Sequence, residues 1–320
     1  MASAVERVPL AVVNATELGT LVDAAAAGER RSLARLLTAI ERGDPDLRPL
    51  LPRLFTAGHG AHLVGITGPP GSGKSTLVSA LARELRGRGR RVGILAVDPS
   101  SPYTGGAIMG DRIRMMDHVS DPEVFMRSMA SRGELGGLAA TTWIAAAALD
   151  AAGFDPILIE TVGAGQSEVE IARLAETTVV VEVPEMGDEV QAIKAGLLEV
   201  ADIIAVNKGD RPGAQHAARQ LRAMMSTAGG RIGSSPPPIL ITTASTGTGV
   251  PELLDAIEKH RTAARSPEQA RQRARNQVAR ALADLAQRRA ATSPQWDRTL
   301  DAVAARDLDP MTAAERLLDS

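Results

Sequence analysis

The sequence predicts an α/β fold: a mostly parallel sheet covered by helices on both faces, with a helical extension before it and a helical arm after it. Three observations carry that prediction. Between residues 62 and 259, short runs rich in Val, Ile and Leu alternate with longer helical stretches. Strands buried on both faces read as such runs, and their alternation with helices argues for parallel pairing. Upstream, Leu33, Leu36, Leu37 and Ile40 recur at three- and four-residue spacing, the period of an amphipathic helix. From about Ser266 onward the chain is rich in Ala, Arg, Gln and Leu, with no recurring strand pattern.

Composition bounds what such a fold does. The 320 residues suffice for one large domain with appendages or two small ones. Lys and Arg number 36 against 38 Asp and Glu. This near balance gives no long-range electrostatic reason for nucleic acid or an anionic membrane as partner; a protein or a small molecule is expected instead. The absence of cysteine excludes disulfides, thiolate zinc sites and cysteine nucleophiles. Of the five histidines, His59 and His62 alone are close in sequence, and two imidazoles make a poor metal site. Glu6, Glu17 and Asp23 interrupt any leader-like run near the start. No apolar stretch reaches the roughly 20 residues that span a bilayer, so a cytoplasmic protein is expected.

Taken in order, residues 1–60 form an N-terminal helical extension, with a helical pattern from about Leu18 to Phe55. Residues 61–262 form the central domain, with strands expected at 62–67, 92–97, 157–160, 177–183, 203–207 and 239–243. The stretch Ser234-Ser235-Pro236-Pro237-Pro238 reads as a surface loop inside this domain, because a strand and a further motif follow it directly. Residues 263–320 form the C-terminal helical arm.

The chemistry begins at Gly68-Pro69-Pro70-Gly71-Ser72-Gly73-Lys74-Ser75-Thr76, which satisfies G-x-x-x-x-G-K-[ST]. Glycines let such a loop wrap until successive backbone N–H groups point at phosphate oxygens, and the positive end of the following helix adds attraction. Lys74 then reaches the β- and γ-phosphates, and the Ser75 hydroxyl faces Mg²⁺. The motif follows an expected strand and opens a helix from Leu77 to Arg86, as a P-loop requires.

A second motif, Asn207-Lys208-Gly209-Asp210, ends another strand as N-K-x-D. A carboxylate at Asp210 accepts from both N1–H and the exocyclic amine of guanine, whereas adenine presents an acceptor at N1 and leaves the carboxylate unpaired. GTP is therefore favoured over ATP. A third piece, Thr243-Ala244-Ser245, lies at the next strand end, where backbone N–H groups near Ala244 are placed for the guanine oxygen. Acids at other strand ends are candidates for metal and water handling: Asp98 after residues 93–97, and Glu160 after 156–159. Asp111 sits in a Gly-rich stretch suited to closing over the γ-phosphate. Ala164 stands where a Ras-like enzyme has its water-orienting glutamine, so slow intrinsic hydrolysis is expected.

The longer motifs carry a family resemblance. Val97-Asp98-Pro99-Ser100-Ser101, Thr104-Gly105-Gly106 through Gly110-Asp111, Leu135-Gly136-Gly137 and Glu160-Thr161-Val162-Gly163-Ala164-Gly165-Gln166-Ser167-Glu168 resemble the MeaB/ArgK family of GTPases. So do Gly187-Asp188-Glu189-Val190-Gln191-Ala192-Ile193-Lys194 and Pro310-Met311-Thr312-Ala313-Ala314. Two places depart from the family pattern, residues 99–103 and 183–186, which suggests a divergent branch. The resemblance implies a GTPase chaperone of an adenosylcobalamin-dependent acyl-CoA mutase, methylmalonyl-CoA mutase or a relative. It implies a homodimer joined through the C-terminal arm, bound Mg²⁺ and GTP or GDP, and a loop at residues 187–194 linking nucleotide state to the mutase. It also implies metal-side roles for Ser75, Asp98 and Glu160. The alternatives are a nickel-inserting metallochaperone GTPase, which needs a Cys/His store that this chain lacks, and a nucleotide-dependent kinase of the ArgK type, which Asp210 disfavours.

Overall fold

The structure is a computed structural model that describes residues 14–98, 121–130, 137–161, 174–184, 198, 200–227, 236–264 and 266–319. Its strands are β1 (Leu63–Thr67), β2 (Val92–Asp98), β3 (Val124–Ala130), β4 (Ile157–Thr161), β5 (Thr177–Glu182), β6 (Ile203–Val206) and β7 (Ile239–Ile241). They form one sheet in the order β3-β2-β4-β1-β5-β6-β7, and every pairing is parallel. The chain leaves β1 towards β2 on one side and later returns to β5 on the other. Such a reversal opens a crevice at the carboxyl ends of the strands, the usual place for a ligand in this architecture.

Six of the strands coincide with the six expected apolar runs. The seventh, β3, is not expected from sequence, because Arg127 and Ser128 interrupt its apolar pattern. Its position explains the tolerance: β3 is an edge strand, and Arg127 reaches out of the sheet to Glu41 (2.6 Å) and Thr38 (3.2 Å). Both partners lie on the extension, which folds as α1 (Ala15–Ala26), α2 (Arg30–Arg42), a 3-10 turn (Pro45–Leu50) and α3 (Leu51–Ala57). The single helical pattern breaks where Gly28 (φ 88°) and Gly43 (φ 68°) let the chain reverse in the left-handed region.

Helices cover both faces. On one face α1, α2 and α3 share a continuous apolar cluster with α5 (Gly137–Ala151) and with Leu95, Val97, Ile157 and Ile159 of the sheet. On the other, α4 (Lys74–Gly87) and α7 (Val250–Ala264) pack on Val64, Ile66, Ile94, Leu158, Val179 and Val181. A third cluster seats α6 (Ala214–Thr227) on Val180, Ile204 and Val206. The arm comprises α8 (Pro267–Ala291), α9 (Trp296–Ala304) and α10 (Pro310–Asp319), with α10 packed on α8. No helix among the described residues is long and apolar enough to cross a membrane.

Candidate nucleotide-binding site

The loop between β1 and α4 is shaped by contacts that only glycine permits. Gly68 has φ 140°, and a Cβ there would lie 2.2 Å from the Val181 carbonyl oxygen on β5. Gly73 has φ 88°, and a Cβ there would lie 2.5 Å from Asn207 Nδ2. The loop therefore lies directly against β5 and the end of β6. Gly71, at φ 77°, faces open space. Lys74, the first residue of α4, is buried and folds back over the loop, its Nζ donating to Gly68 O (2.7 Å) and Pro69 O (3.1 Å). The single side-chain cation of the motif thus stands where phosphate charge would gather. The helix begins at Lys74, three residues before the expected Leu77, so Ser75 and Thr76 belong to its first turn and their N–H groups have no intrahelical acceptor.

On the metal side the structure brings together two of the three expected groups. Ser75 Oγ donates to Glu160 Oε1 at 2.5 Å, across 85 residues of chain. Glu160 is buried near the end of β4 and pairs with Ile66 on β1 and Ala96 on β2, so its position is fixed from both sides. A hydroxyl and a carboxylate at the head of the P-loop helix are hard oxygen donors of the type Mg²⁺ takes alongside phosphate and water; the residues present fit that ion. Asp98 ends β2 in register with Ala130 of β3, and only its backbone is described. Asp111, Ala164 and residues 187–194 lie outside the described residues.

The base side is organised by Asn207. Its Nδ2 donates to Ser72 O (2.9 Å), while its Oδ1 accepts from Ala244 N (3.1 Å) and Thr242 Oγ1 (3.2 Å). One buried amide therefore clasps the phosphate loop to the turn after β7. Lys208, in the left-handed region at φ 57°, sends its Nζ to Gly71 O (2.7 Å) and makes a second link. Asp210 follows on the exposed rim. Thr243 bridges to Thr248 through its N–H (2.8 Å), closing the turn that holds Ala244 and Ser245. The Ala244 N–H is committed to Asn207 and the Thr243 N–H to Thr248 O, so neither is a spare donor for a base. Sequence reasoning overlooked Thr242, which sits one residue before the expected turn, and Val181, whose contact with Gly68 no motif announces.

The histidines behave differently from their sequence spacing. His59 is exposed, whereas His62 is buried and its Nε2 lies 2.8 Å from Thr177 Oγ1, which in turn lies 2.8 Å from His260 Nδ1. This chain ties α7 to the amino ends of β1 and β5, at the edge of the sheet opposite the phosphate loop. No group of three or more potential metal ligands from His, Cys, Asp or Glu occurs among the described residues.

Residues 33–295 match the model of the family described as methylmalonyl Co-A mutase-associated GTPase MeaB. This chain belongs to the MeaB family. A putative GTPase of Pyrococcus horikoshii is 43% identical over 307 residues, 93% of this chain and 96% of its own. GTPase ArgK of Escherichia coli is 40% identical over 204 residues, 62% of this chain and 61% of its own. The mouse methylmalonic aciduria type A homolog, a mitochondrial protein, is 43% identical over a shorter stretch of 147 residues, 46% of this chain and 35% of its own. Among solved structures, one described as an LAO/AO transport system kinase superposes with a TM-score of 0.71 at 26% identity, covering 97% of this chain and 99% of that one. MeaB proteins are P-loop GTPases, and membership implies a bound guanine nucleotide.

Proposed function

We propose that this MeaB-family protein binds Mg²⁺·GTP, hydrolyses it to GDP and phosphate, and uses that cycle as the chaperone of an adenosylcobalamin-dependent acyl-CoA mutase, gating cofactor loading and protecting the mutase. The observation that carries the nucleotide reading is the Asn207 clasp, which joins the phosphate loop to the turn after β7 through three hydrogen bonds of one buried side chain. Phosphates would lie on the N–H groups of Gly68, Pro69, Pro70, Gly71, Ser72, Gly73, Lys74, Ser75 and Thr76, apart from the two prolines, which have none to give. Lys74 would offset charge at the β,γ-bridge. Guanine would be read by Asp210 and by the turn that holds Ala244 and Ser245. Ser75 and Glu160, with Asp98, would hold Mg²⁺, which neutralises developing phosphate charge.

The mutase reading rests on membership of a family described as mutase-associated GTPases. The dimer reading has a physical support: among the described residues, six of the eight large hydrophobics that are exposed lie on α8, α9 and α10, namely Val278, Leu282, Leu285, Leu300, Met311 and Leu318. Apolar surface concentrated in this way marks a contact surface. We place the protein in the cytoplasm, since nothing in its composition calls for an oxidising compartment. The test is turnover of GTP by the purified protein with and without a cobalamin-dependent acyl-CoA mutase. Slow hydrolysis that accelerates on adding the mutase supports the proposal; GTP turnover unaffected by any such mutase removes the chaperone reading and leaves the GTPase.

A further inference from the structure

The end of β7 lies between two glycines, one at each of its edges. Just past Ile241, Thr242 turns both its backbone groups towards β6: its N–H donates to Val206 O (2.9 Å) and its carbonyl accepts from Gly209 N (2.8 Å). Successive backbone groups of an extended chain face opposite ways, so Ile241 O and the Thr243 N–H face the other edge. There the chain folds back after its turn, and the Thr243 N–H donates to Thr248 O (2.8 Å). Both neighbours come closer than a side chain allows. A Cβ on Gly209 would lie 2.4 Å from Ile241 Cγ2 and 3.1 Å from Thr242 O. A Cβ on Gly249, which has φ 76°, would lie 2.2 Å from Ile241 O. Carbon atoms pack at about 3.5–4.0 Å and a carbon meets a carbonyl oxygen at about 3.3–3.6 Å, so either Cβ would displace its neighbour by about 1 Å.

These glycines bracket the base side of the candidate site. Gly209 directly precedes Asp210, and Gly249 follows the Thr243–Thr248 bridge that closes the turn carrying Ala244 and Ser245. From this placement we propose that Gly209 and Gly249 are positioning residues for base recognition. By pinning one strand end from two edges, they set the separation between Asp210 and the turn of residues 243–248, and so the width of the slot that admits guanine. The proposal rests on the reading of this site as a guanine-nucleotide site. Recognition groups work only while they stay within about 0.5 Å of their productive places, so a shift of about 1 Å is enough to loosen the grip on the base. The phosphate loop keeps its own links, from Ser72 O to Asn207 and from Gly71 O to Lys208, and neither runs through these glycines. A side chain at 209 or 249 therefore acts on the base and not on the phosphates.

The experiment measures binding constants of wild type, Gly209→Ala and Gly249→Ala for GDP, ADP and pyrophosphate, each with Mg²⁺, alongside thermal melting without ligand. Wild type is expected to prefer GDP to ADP. In each variant that preference is expected to narrow by at least about tenfold, the scale of one weakened charged hydrogen bond, while pyrophosphate affinity stays within about twofold of wild type. A merely structural defect would instead lower the melting temperature and weaken all three ligands together. Gly209→Ala also has a specific rescue: adding Ile241→Ala removes the Cγ2 atom that the new Cβ would meet, and most of the preference is expected to return. Should Gly249→Ala not fold, Gly209→Ala and its rescue decide. An unchanged GDP-to-ADP ratio in folded Gly209→Ala overturns the proposal, as does an equal loss for pyrophosphate or a failure of Ile241→Ala to rescue. Absence of any preference for GDP over ADP in wild type would instead overturn the guanine-site reading on which it rests.

Discussion

Replacing Asn207 by alanine is the sharpest perturbation of the candidate site, because a single buried side chain holds two loops that are 135 residues apart. The substitution leaves Ser72 O without the 2.9 Å donor and Ala244 N without the 3.1 Å acceptor, and it frees the Thr242 hydroxyl from its 3.2 Å contact. Asn207 is 2% exposed, so these groups do not simply return to bulk water. A buried polar backbone group left unpaired costs about 1–3 kcal/mol. For two such groups, with the hydroxyl free to rotate elsewhere, the loss is about 2–6 kcal/mol. At about 2–4 °C per kcal/mol for the larger domains, the nucleotide-free protein is expected to melt at least about 4 °C lower. Nucleotide affinity falls further, because the phosphate loop and the base-reading turn no longer form one preorganised body. Thermal melting without nucleotide, followed by titration with fluorescent GDP, separates the two effects. Asn207→Asp keeps the shape but sets a carboxylate oxygen against Ser72 O, so it is expected to do no better than alanine. A melting point within about 2 °C of wild type together with unchanged GDP affinity would show that the clasp is not what organises the site.

Further expectations follow from individual side chains. Lys74→Ala removes the cation that stands over the loop and is expected to weaken GTP binding by about 10- to 100-fold, the equivalent of about 1.5–3 kcal/mol for a charged hydrogen bond, and to abolish hydrolysis; tight GTP binding by the folded variant would rule out the phosphate-loop assignment. Asp210→Asn is expected to move preference from GTP towards xanthosine triphosphate, since an amide can donate to the carbonyl that xanthine carries in place of the guanine amine; undiminished discrimination for guanine in competition binding would show that Asp210 does not read the base. At the opposite edge of the sheet, burial raises the Asp155 carboxyl, but the His62 N–H and the Arg261 and Arg90 guanidiniums outweigh it and hold the group below the usual carboxylate value. Its folded value being depressed, the stabilisation is present above the ordinary Asp pKa of about 3.9 and is lost as pH falls through the lower folded value. Wild type is therefore expected to lose melting temperature on acidification below about pH 4 more steeply than Asp155→Asn, and parallel pH profiles would remove Asp155 from the acid response.

How much of this was legible in the sequence depends on whether a feature is local. The phosphate loop, N-K-x-D and the turn at residues 243–245 are contiguous, and each needs particular residue types at fixed spacing, so each could be read without coordinates. The other six strands were equally readable, because each carries an uninterrupted run of at least three apolar residues, including the second edge strand β7 (Ile239–Ile241). The edge strand β3 was not: it tolerates Arg127 and Ser128, and the reason lies in Glu41 and Thr38, more than 80 residues earlier in the chain. The extension shows the same limit. Its helical period was visible, but its two reversals at Gly28 and Gly43 and its shared core with α5 follow from what it packs against.

The sequence by itself determined the class of fold and pointed to a phosphate loop and a guanine preference, because backbone wrapping and base recognition would depend on glycines and a carboxylate whose spacing is fixed along one stretch of chain. Tertiary structure alone decided which acid meets Ser75, which amide ties Ser72 to Ala244, and why Gly68 and Gly73 admit no side chain. These are contacts between strand ends that the parallel order β2-β4-β1-β5-β6 brings side by side. Sequence separation carries no information about them, since a parallel sheet sets neighbouring strand ends within hydrogen-bonding distance however much chain runs between them.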